Sequence, residues 1–267
     1  MNTDIYYTKN IHTLHQQMVS CYRYLHLPPE LFFYPHILWY VVEAYFKVKY
    51  GSYNNEEWKC SSLKVLNAIE DFGGRFHISG LDNIRKTPGP VVFISNHMSV
   101  LETFVLPSLI LPEKSLTYIL KKSLLAYPIF GSFLRYLKPI VVSRTNPRED
   151  LKIVLTEGAS ALKRGKSLVI FPQHTRTKGI RVKDFNSLGV KLALEAGVPA
   201  IPVALKTDFW GNGTLIKDMG PIGRSCKEIF IKFGEPLSIK GKGREEHKQI
   251  IGFIKKNYDT WSARNNQ

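Results

Sequence analysis

The chain has 267 residues, with 37 Lys and Arg against 22 Asp and Glu, and so a formal charge of +15. That length suits one large domain, or one domain with a helical appendage, and is ample to bury a core. Hydrophobic residues at 44% and charged residues at 22% exclude disordered and collagen-like classes, and the basic balance points to an anionic partner: nucleic acid, an acidic membrane surface, or a phosphorylated or acidic substrate.

Residues 1–10 are polar and do not read as a secretory signal. Cys21, Cys60 and Cys226 lie far apart, are odd in number and form no CxxC, so neither a disulfide framework nor a zinc site is expected. A reduced, cytosol-facing protein follows from that usage. The run Leu31–Phe46 is the most apolar early segment, but it carries Glu43 and is interrupted by Pro35 and His36. It falls short of the roughly 20 apolar residues of a spanning helix. Its seven aromatic residues, followed by Lys47 and Lys49, suit the headgroup zone of a membrane, against the alternative of a buried core helix. Asn54 and Asn55 can cap a further helix to about Asp71, which Gly73 and Gly74 end, so residues 1–72 read as helical.

From residue 73 the pattern changes. Short apolar runs at 91–95, 117–120, 140–143, 167–171 and 200–205 suit strands buried on both faces, and 228–233 suits another. Helical patterns lie between them at 101–111, 149–164 and 187–196, and 244–261 closes the chain. The alternation predicts an α/β fold: a mostly parallel central sheet flanked by helices, spanning 73–267, with 1–72 as a helical region at the membrane interface.

Three constellations fall at predicted strand ends, where open α/β sheets place their ligands. In the first, Ser95-Asn-His-Met-Ser-Val-Leu-Glu102, His97 can act as a general base and Glu102 can orient it. Residues five apart diverge by about 140° on a continuous helix, so the pair can meet only if His97 precedes the helix and Glu102 lies in its first turn. Ser99 can cap that start, and Ser99-x-x-Glu102 also reads as a plain capping box. In the second, Phe171-Pro-Gln-His-Thr-Arg-Thr177, Arg176 can grip phosphate in a bidentate manner, Gln173, Thr175 and Thr177 can add hydrogen bonds, and His174 competes with His97 as base. In the third, Lys121 to Arg144, Arg144 ends a strand, while Lys121, Lys122 and Arg135 read as a solvated basic face or as contacts to an anionic partner, Lys122 being the substrate-binding candidate. If the three strand ends are adjacent, one base faces two guanidiniums, a pocket for an anionic substrate that carries a hydroxyl.

NHMSVLE, KKSLLAYPIFGSFLRYLKPIVVSR, FPQHTRT and GVPAIPVAL resemble, in order and spacing, the four motifs of the glycerophospholipid acyltransferases, most familiarly the 1-acylglycerol-3-phosphate acyltransferases. The resemblance covers about residues 75–240. It implies a catalytic His97 with Glu102 as its carboxylate, acceptor phosphate on Arg144 and Arg176, a pocket shaped by Pro202, and N-terminal helices docked on a membrane. It further implies a lysophospholipid acceptor, an acyl-CoA or acyl-carrier-protein donor, no cofactor or metal, and a peripheral or monotopic place on the cytoplasmic face. The chain departs from the pattern at Gln173 and His174, where the family has Glu and Gly, and at Lys138, where Gly is common. These departures bear on the identity of the acceptor.

The rival readings are a different lyso-lipid acceptor, lyso-ornithine types included, or a non-catalytic basic membrane binder. Nucleic acid is not expected as a partner, because the cations are dispersed and no binding motif occurs. No GxSxG supports a hydrolase. Gly165-Lys-Ser167 lacks the upstream glycine of a P-loop and precedes its strand.

Overall fold

Three central runs of the chain are buried along their whole length: Val92–Ser95, Ser167–Ile170 and Ala200–Lys206. A strand with no polar face must be covered on both sides, and a crossover-connected parallel sheet does this. The computed structural model describes residues 10–12, 27–173, 175–214, 216–223 and 227–264. In chain order the elements are β1 (Asn10–His12), α1 (Glu30–Lys49), α2 (Asn55–Asp71), β2 (Gly74–Ser79), α3 (Leu81–Lys86), β3 (Val92–Ser95), α4 (Leu101–Ile110), β4 (Leu116–Lys121), α5 (Phe130–Tyr136), β5 (Ile140–Val142), α6 (Pro147–Lys163), β6 (Ser167–Ile170), α7 (Leu188–Ala196), β7 (Ala200–Lys206), β8 (Lys227–Phe233) and α8 (Arg244–Arg264). The strands form one sheet in the order β1-β2-β8-β7-β3-β6-β4-β5. The pairs are parallel except β7–β8 and β1–β2.

Alternation along the strands splits the core into two layers. Phe93, Val169, Ile201 and Val203 face one side, where α1, α2 and α4 supply Phe33, Trp58, Leu66 and Leu101. Val92, Ile94, Leu168 and Ile170 face the other, covered by α6, α7 and α8 through Val154, Leu162, Leu192 and Ile250. Two glycines let the helices of this second layer approach closely: a Cβ on Gly158 would meet Leu192 at 2.9 Å, and one on Gly189 would meet Ile94 at 2.8 Å.

The expected strands all form, and the expected helices start and stop within a few residues of their predicted ends. Asn54 caps α2 by accepting from the Glu57 N–H at 3.0 Å, and Asn146 caps α6 with Pro147 in its first turn, so α6 starts earlier than its apolar pattern suggested. Two strands escaped the reading. β2 alternates buried and half-buried residues instead of forming an apolar run, and β1 is a three-residue strand that lies antiparallel on β2, so the first 72 residues are not helix throughout. Pro35 does not interrupt the first helix: α1 runs unbroken through it for 20 residues. Among the described residues, no helix is long and apolar enough to cross a membrane.

One face of α1 buries Phe33, Ile37 and Ala44, while Leu31, Leu38, Trp39 and Phe46 are exposed, Trp39 at 66%. Their spacing of seven and eight draws these exposed residues into a stripe. At its start α1 grips the loop after β7: Tyr34 Oη donates to the Gly220 carbonyl, Ile222 N–H donates to Glu30 Oε1 at 2.9 Å, and the Phe33 ring packs edge-on against Trp210.

Candidate active site

β3 ends at Ser95, and the chain crosses five residues before α4 opens at Leu101. Asn96, fully buried, prolongs the strand with its side chain: its amide donates to the Leu205 carbonyl at 2.8 Å and accepts from Leu205 N–H at 2.9 Å. This ties the end of β3 to β7 and sets His97 outside the helix. Glu102 falls in the first helical turn, with no solvent exposure. His97 Nδ1 lies 2.9 Å from Glu102 Oε1. A carboxylate only accepts, so Nδ1 carries the proton and Nε2 is left for a substrate. The imidazole stacks on Phe171 with centroids 4.2 Å apart.

Burying a bare carboxylate is costly unless its lone pairs are filled. Here Oε1 also accepts from the Met98 and Ser99 N–H groups at 2.6 and 2.9 Å, and Oε2 from the hydroxyls of Ser99 and Thr207 at 3.0 and 2.8 Å. Burial pushes the Glu102 carboxyl up, but the His97 hydrogen bond and charge, with the N–H groups of Ser99 and Met98, outweigh it and hold it below the ordinary value. The capping box and the base–carboxylate pair are thus one arrangement. Val100 occupies the formal cap position, and Ser99 accepts from the Leu101 N–H at 3.1 Å.

The loop after β6 wraps the His97 backbone. Gln173 is buried, accepts from His97 N–H at 2.6 Å and donates to Thr177 Oγ1 at 2.7 Å, while Thr177 N–H donates to the His97 carbonyl at 3.0 Å. Gln173 therefore uses both ends of its amide within the protein. A Glu at this position buries a charge where the amide was neutral, and the Thr177 hydroxyl can donate to it only by turning from the Gly179 carbonyl, 3.2 Å away. Gln173→Glu is accordingly expected to lower the melting temperature and to alter the KM for the hydroxyl-bearing substrate, read by thermal denaturation and steady-state kinetics on the same preparation.

Arg176 follows on this loop and pairs with Asp218 at 2.5 Å. Thr175 is exposed and accepts from Lys217 Nζ at 3.3 Å. His174 lies outside the described residues. The structure therefore brings His97, Glu102, Gln173, Thr175 and Arg176 to one edge. Arg144 and Lys122 are placed elsewhere. Arg144 follows β5, and two strands, β6 and β4, separate β5 from β3, a gap of about 14 Å at 4.8 Å per strand. The strand ends that carry His97 and Arg144 are thus not neighbours. The Arg144 backbone, at φ 61°, is held by its N–H to Asp150 Oδ2 at 2.7 Å. Lys122 is exposed in the short turn after β4. Lys138 also has a positive φ, 48°, the left-handed backbone that favours the glycine common at that position. Pro202 lies in mid-strand opposite Ile94, below the site, against Gly234.

The sequence reading missed the whole loop after β7. Thr207 reaches Glu102, Asn212 donates to the Met98 carbonyl at 2.7 Å, Asp218 holds Arg176, and Lys217 adds a cation beside it. None of these residues belongs to a motif. The one available signal was their place just after a buried strand.

An imidazole held by a buried carboxylate, at the C-terminal edge of a mostly parallel sheet and beside two cations, has the geometry to take a proton near an anionic group. Residues 75–206 match the family model described as Acyltransferase, so this segment is an acyltransferase domain. A 1-acyl-sn-glycerol-3-phosphate acyltransferase of Pseudomonas aeruginosa is 36% identical over 172 residues, 64% of this chain and 62% of that protein. A lyso-ornithine lipid O-acyltransferase of the same organism is 27% identical over 168 residues, 59% of this chain and 63% of the other. In each case the match spans less than two thirds of the relative's own length. The crystal structure of the 1-acyl-sn-glycerophosphate acyltransferase of Thermotoga maritima shares the fold with a TM-score of 0.64, at 23% identity, over 88% of this chain and 95% of that one. Over residues 75–206 the chain is thus similar to the acyltransferases, and these relatives act on glycerophospholipid or ornithine-lipid acceptors by their names.

Proposed function

We propose that the protein moves a fatty acyl chain from an acyl thioester to the free hydroxyl of a lysophospholipid, foremost 1-acylglycerol 3-phosphate, giving phosphatidate. The observation that carries this reading is the His97 Nδ1–Glu102 Oε1 pair, with its carboxylate fully buried. Nε2 takes the proton of the acceptor hydroxyl as its oxygen bonds to the thioester carbonyl carbon. The tetrahedral oxyanion collapses, the C–S bond breaks, and the departing sulfur receives the proton from the imidazolium that Glu102 has stabilised. The step balances without metal or cofactor, the donor being acyl-CoA or an acyl-carrier protein. Arg176, aided by Lys217 and Thr175, holds the acceptor phosphate in this scheme. Gln173 positions the His97 backbone, and Arg144 and Lys122 serve the outer reaches of the bound substrates. The exposed apolar stripe of α1, with Lys47 and Lys49 at its end, supports docking of residues 1–72 on an anionic bilayer, peripheral or monotopic at the cytoplasmic face.

The substitution of Gln173 for the family's carboxylate, together with the likeness to a lyso-ornithine lipid enzyme, keeps a second acceptor class in the test. Purified protein on vesicles is offered lysophosphatidate, a headgroup-bearing lysophospholipid, a lyso-ornithine lipid and glycerol 3-phosphate, with acyl-CoA or acyl-carrier protein as donor, and thiol release is followed. Transfer to lysophosphatidate above the others is expected, and vesicle binding without any transfer would reduce the protein to a basic membrane binder. Arg176→Ala is expected to raise the KM for a phosphate acceptor roughly 10- to 100-fold, the worth of one or two charged hydrogen bonds. An unchanged KM would remove Arg176 from the phosphate site.

A further inference from the structure

On the side of the sheet away from α1, the outer surface of α6 forms a groove of about 610 Å³ with one wall on α7. Arg148, Lys152 and Lys163 line it, with Leu151, Leu155 and Ala159 between them and Glu195 as the single lining acid. A period of 3.6 residues places Arg148, Lys152, Leu155, Ala159 and Lys163 on one face, and sends the acidic Glu149, Asp150 and Glu157 about 100–200° round the helix. The three cations are exposed, and among the described residues none of them is ion-paired. The strip runs about 22 Å from Arg148 to Lys163, at 1.5 Å per residue. It has cations at its ends and an apolar middle. A site for one small phosphate ester has no use for that length. An amphipathic helix with acidic flanks matches it in length, charge and apolarity.

We infer that the Arg148–Lys152–Lys163 face of α6 docks an acidic, helical carrier protein that presents the acyl thioester on a flexible arm. The inference rests on the acyl-transfer reading of the His97 site. Two features of the fold select this partner over a bilayer or free acyl-CoA. First, α1 packs on one face of the sheet and α6 on the other, so a membrane held by the α1 stripe leaves the α6 groove open to a soluble protein. Second, α6 starts directly after β5, at the same sheet edge as His97. The thioester then has about 14 Å of sheet edge to cross from β5 to β3, a gap suited to a long arm and too wide for a side chain on the docked helix.

The test uses the full chain on phosphatidylglycerol vesicles, with the double variant Arg148→Glu/Lys152→Glu and the single variant Lys163→Glu, their melting temperatures checked against the parent. Binding of fluorescein-labelled palmitoyl-acyl carrier protein is read by anisotropy, independently of turnover, and kcat/KM is measured with palmitoyl-acyl carrier protein and with palmitoyl-CoA. The expected result is a loss of at least about tenfold in carrier-protein affinity and in kcat/KM with that donor for the double variant, a smaller loss for Lys163→Glu, and no change in palmitoyl-CoA turnover or vesicle cosedimentation. An equal fall with palmitoyl-CoA would assign the cations to the nucleotide end of the donor, and loss of vesicle binding would assign them to the membrane. Unweakened carrier-protein binding would also overturn the docking surface, while palmitoyl-CoA transfer remained intact. A parent protein that transfers from neither donor fails the acyl-transfer reading itself.

Discussion

Replacing His97 with Ala is expected to lower acyl transfer by about 10²–10⁴-fold, the usual contribution of a positioned general base, while the protein keeps its fold. The side chain is 15% exposed and contributes one hydrogen bond and a stack on Phe171. Without it Glu102 still accepts from four donors, the N–H groups of Met98 and Ser99 and the hydroxyls of Ser99 and Thr207, so the start of α4 stays anchored. The backbone contacts of His97 with Gln173 and Thr177 do not involve its ring and also survive. The comparison is turnover against circular dichroism and melting temperature in one preparation. Near-normal transfer by folded His97→Ala protein would refute the assignment of His97 as base.

Glu102 is expected to separate charge from structure. Glu102→Ala strands the buried N–H groups of Met98 and Ser99 and removes the partner of two hydroxyls, so a loss on the order of 3–5 kcal/mol follows, as for a buried pair stripped of one member. Glu102→Gln behaves differently. Its carbonyl oxygen can take the place of Oε1, which receives only N–H donors, and its amide can take the place of Oε2, where both partners are hydroxyls able to turn and accept. The fold should survive, while turnover drops about 10²-fold because the imidazolium loses its counter-charge.

Wild-type protein and Glu102→Gln also differ in acid. The carboxyl of Glu102 is held below its ordinary value of 4.5 in the folded protein. A depressed carboxyl contributes stability that is fully present above that value and is lost as pH falls through the folded one. Wild-type protein should therefore lose melting temperature on acidification below pH 4.5, and Glu102→Gln should lose less over the same interval. Parallel acid profiles for the two proteins would mean that Glu102 is not charged in the fold.

Much of this site was legible from residue order because its parts are local. His97 and Glu102 are five residues apart, and their contact needs only a strand that ends and a helix that begins between them, both marked by apolar runs and by Ser99. The central strands were legible for a related reason: burial on both faces writes an unbroken apolar run. β2 lies nearer the edge with an alternating pattern, and β1 is too short to carry a period. The continuity of α1 through Pro35 also escaped the reading, because packing of Phe33 and Ile37 outweighs the one hydrogen bond that a proline removes.

The spatial neighbourhood of the site followed a different rule. Thr207 stands 105 residues from Glu102 and meets it because β7 lies beside β3. Asp218 and Lys217 reach the loop of Arg176 and Thr175 across 42 residues, for β7 and β6 flank the same strand. Arg144 ends a strand as His97 does, yet stands three strands away, since β5 is the outermost strand of the sheet. By itself, then, the sequence determined the strands of the central sheet, the helices between them and the meeting of His97 with Glu102, all of which rest on contacts a few residues long. Strand order, which decides who shares the site with His97 and leaves α1 and α6 on opposite faces, was settled only by tertiary packing, because hydrogen bonding between strands and burial of two apolar faces act on residues that the chain itself holds far apart.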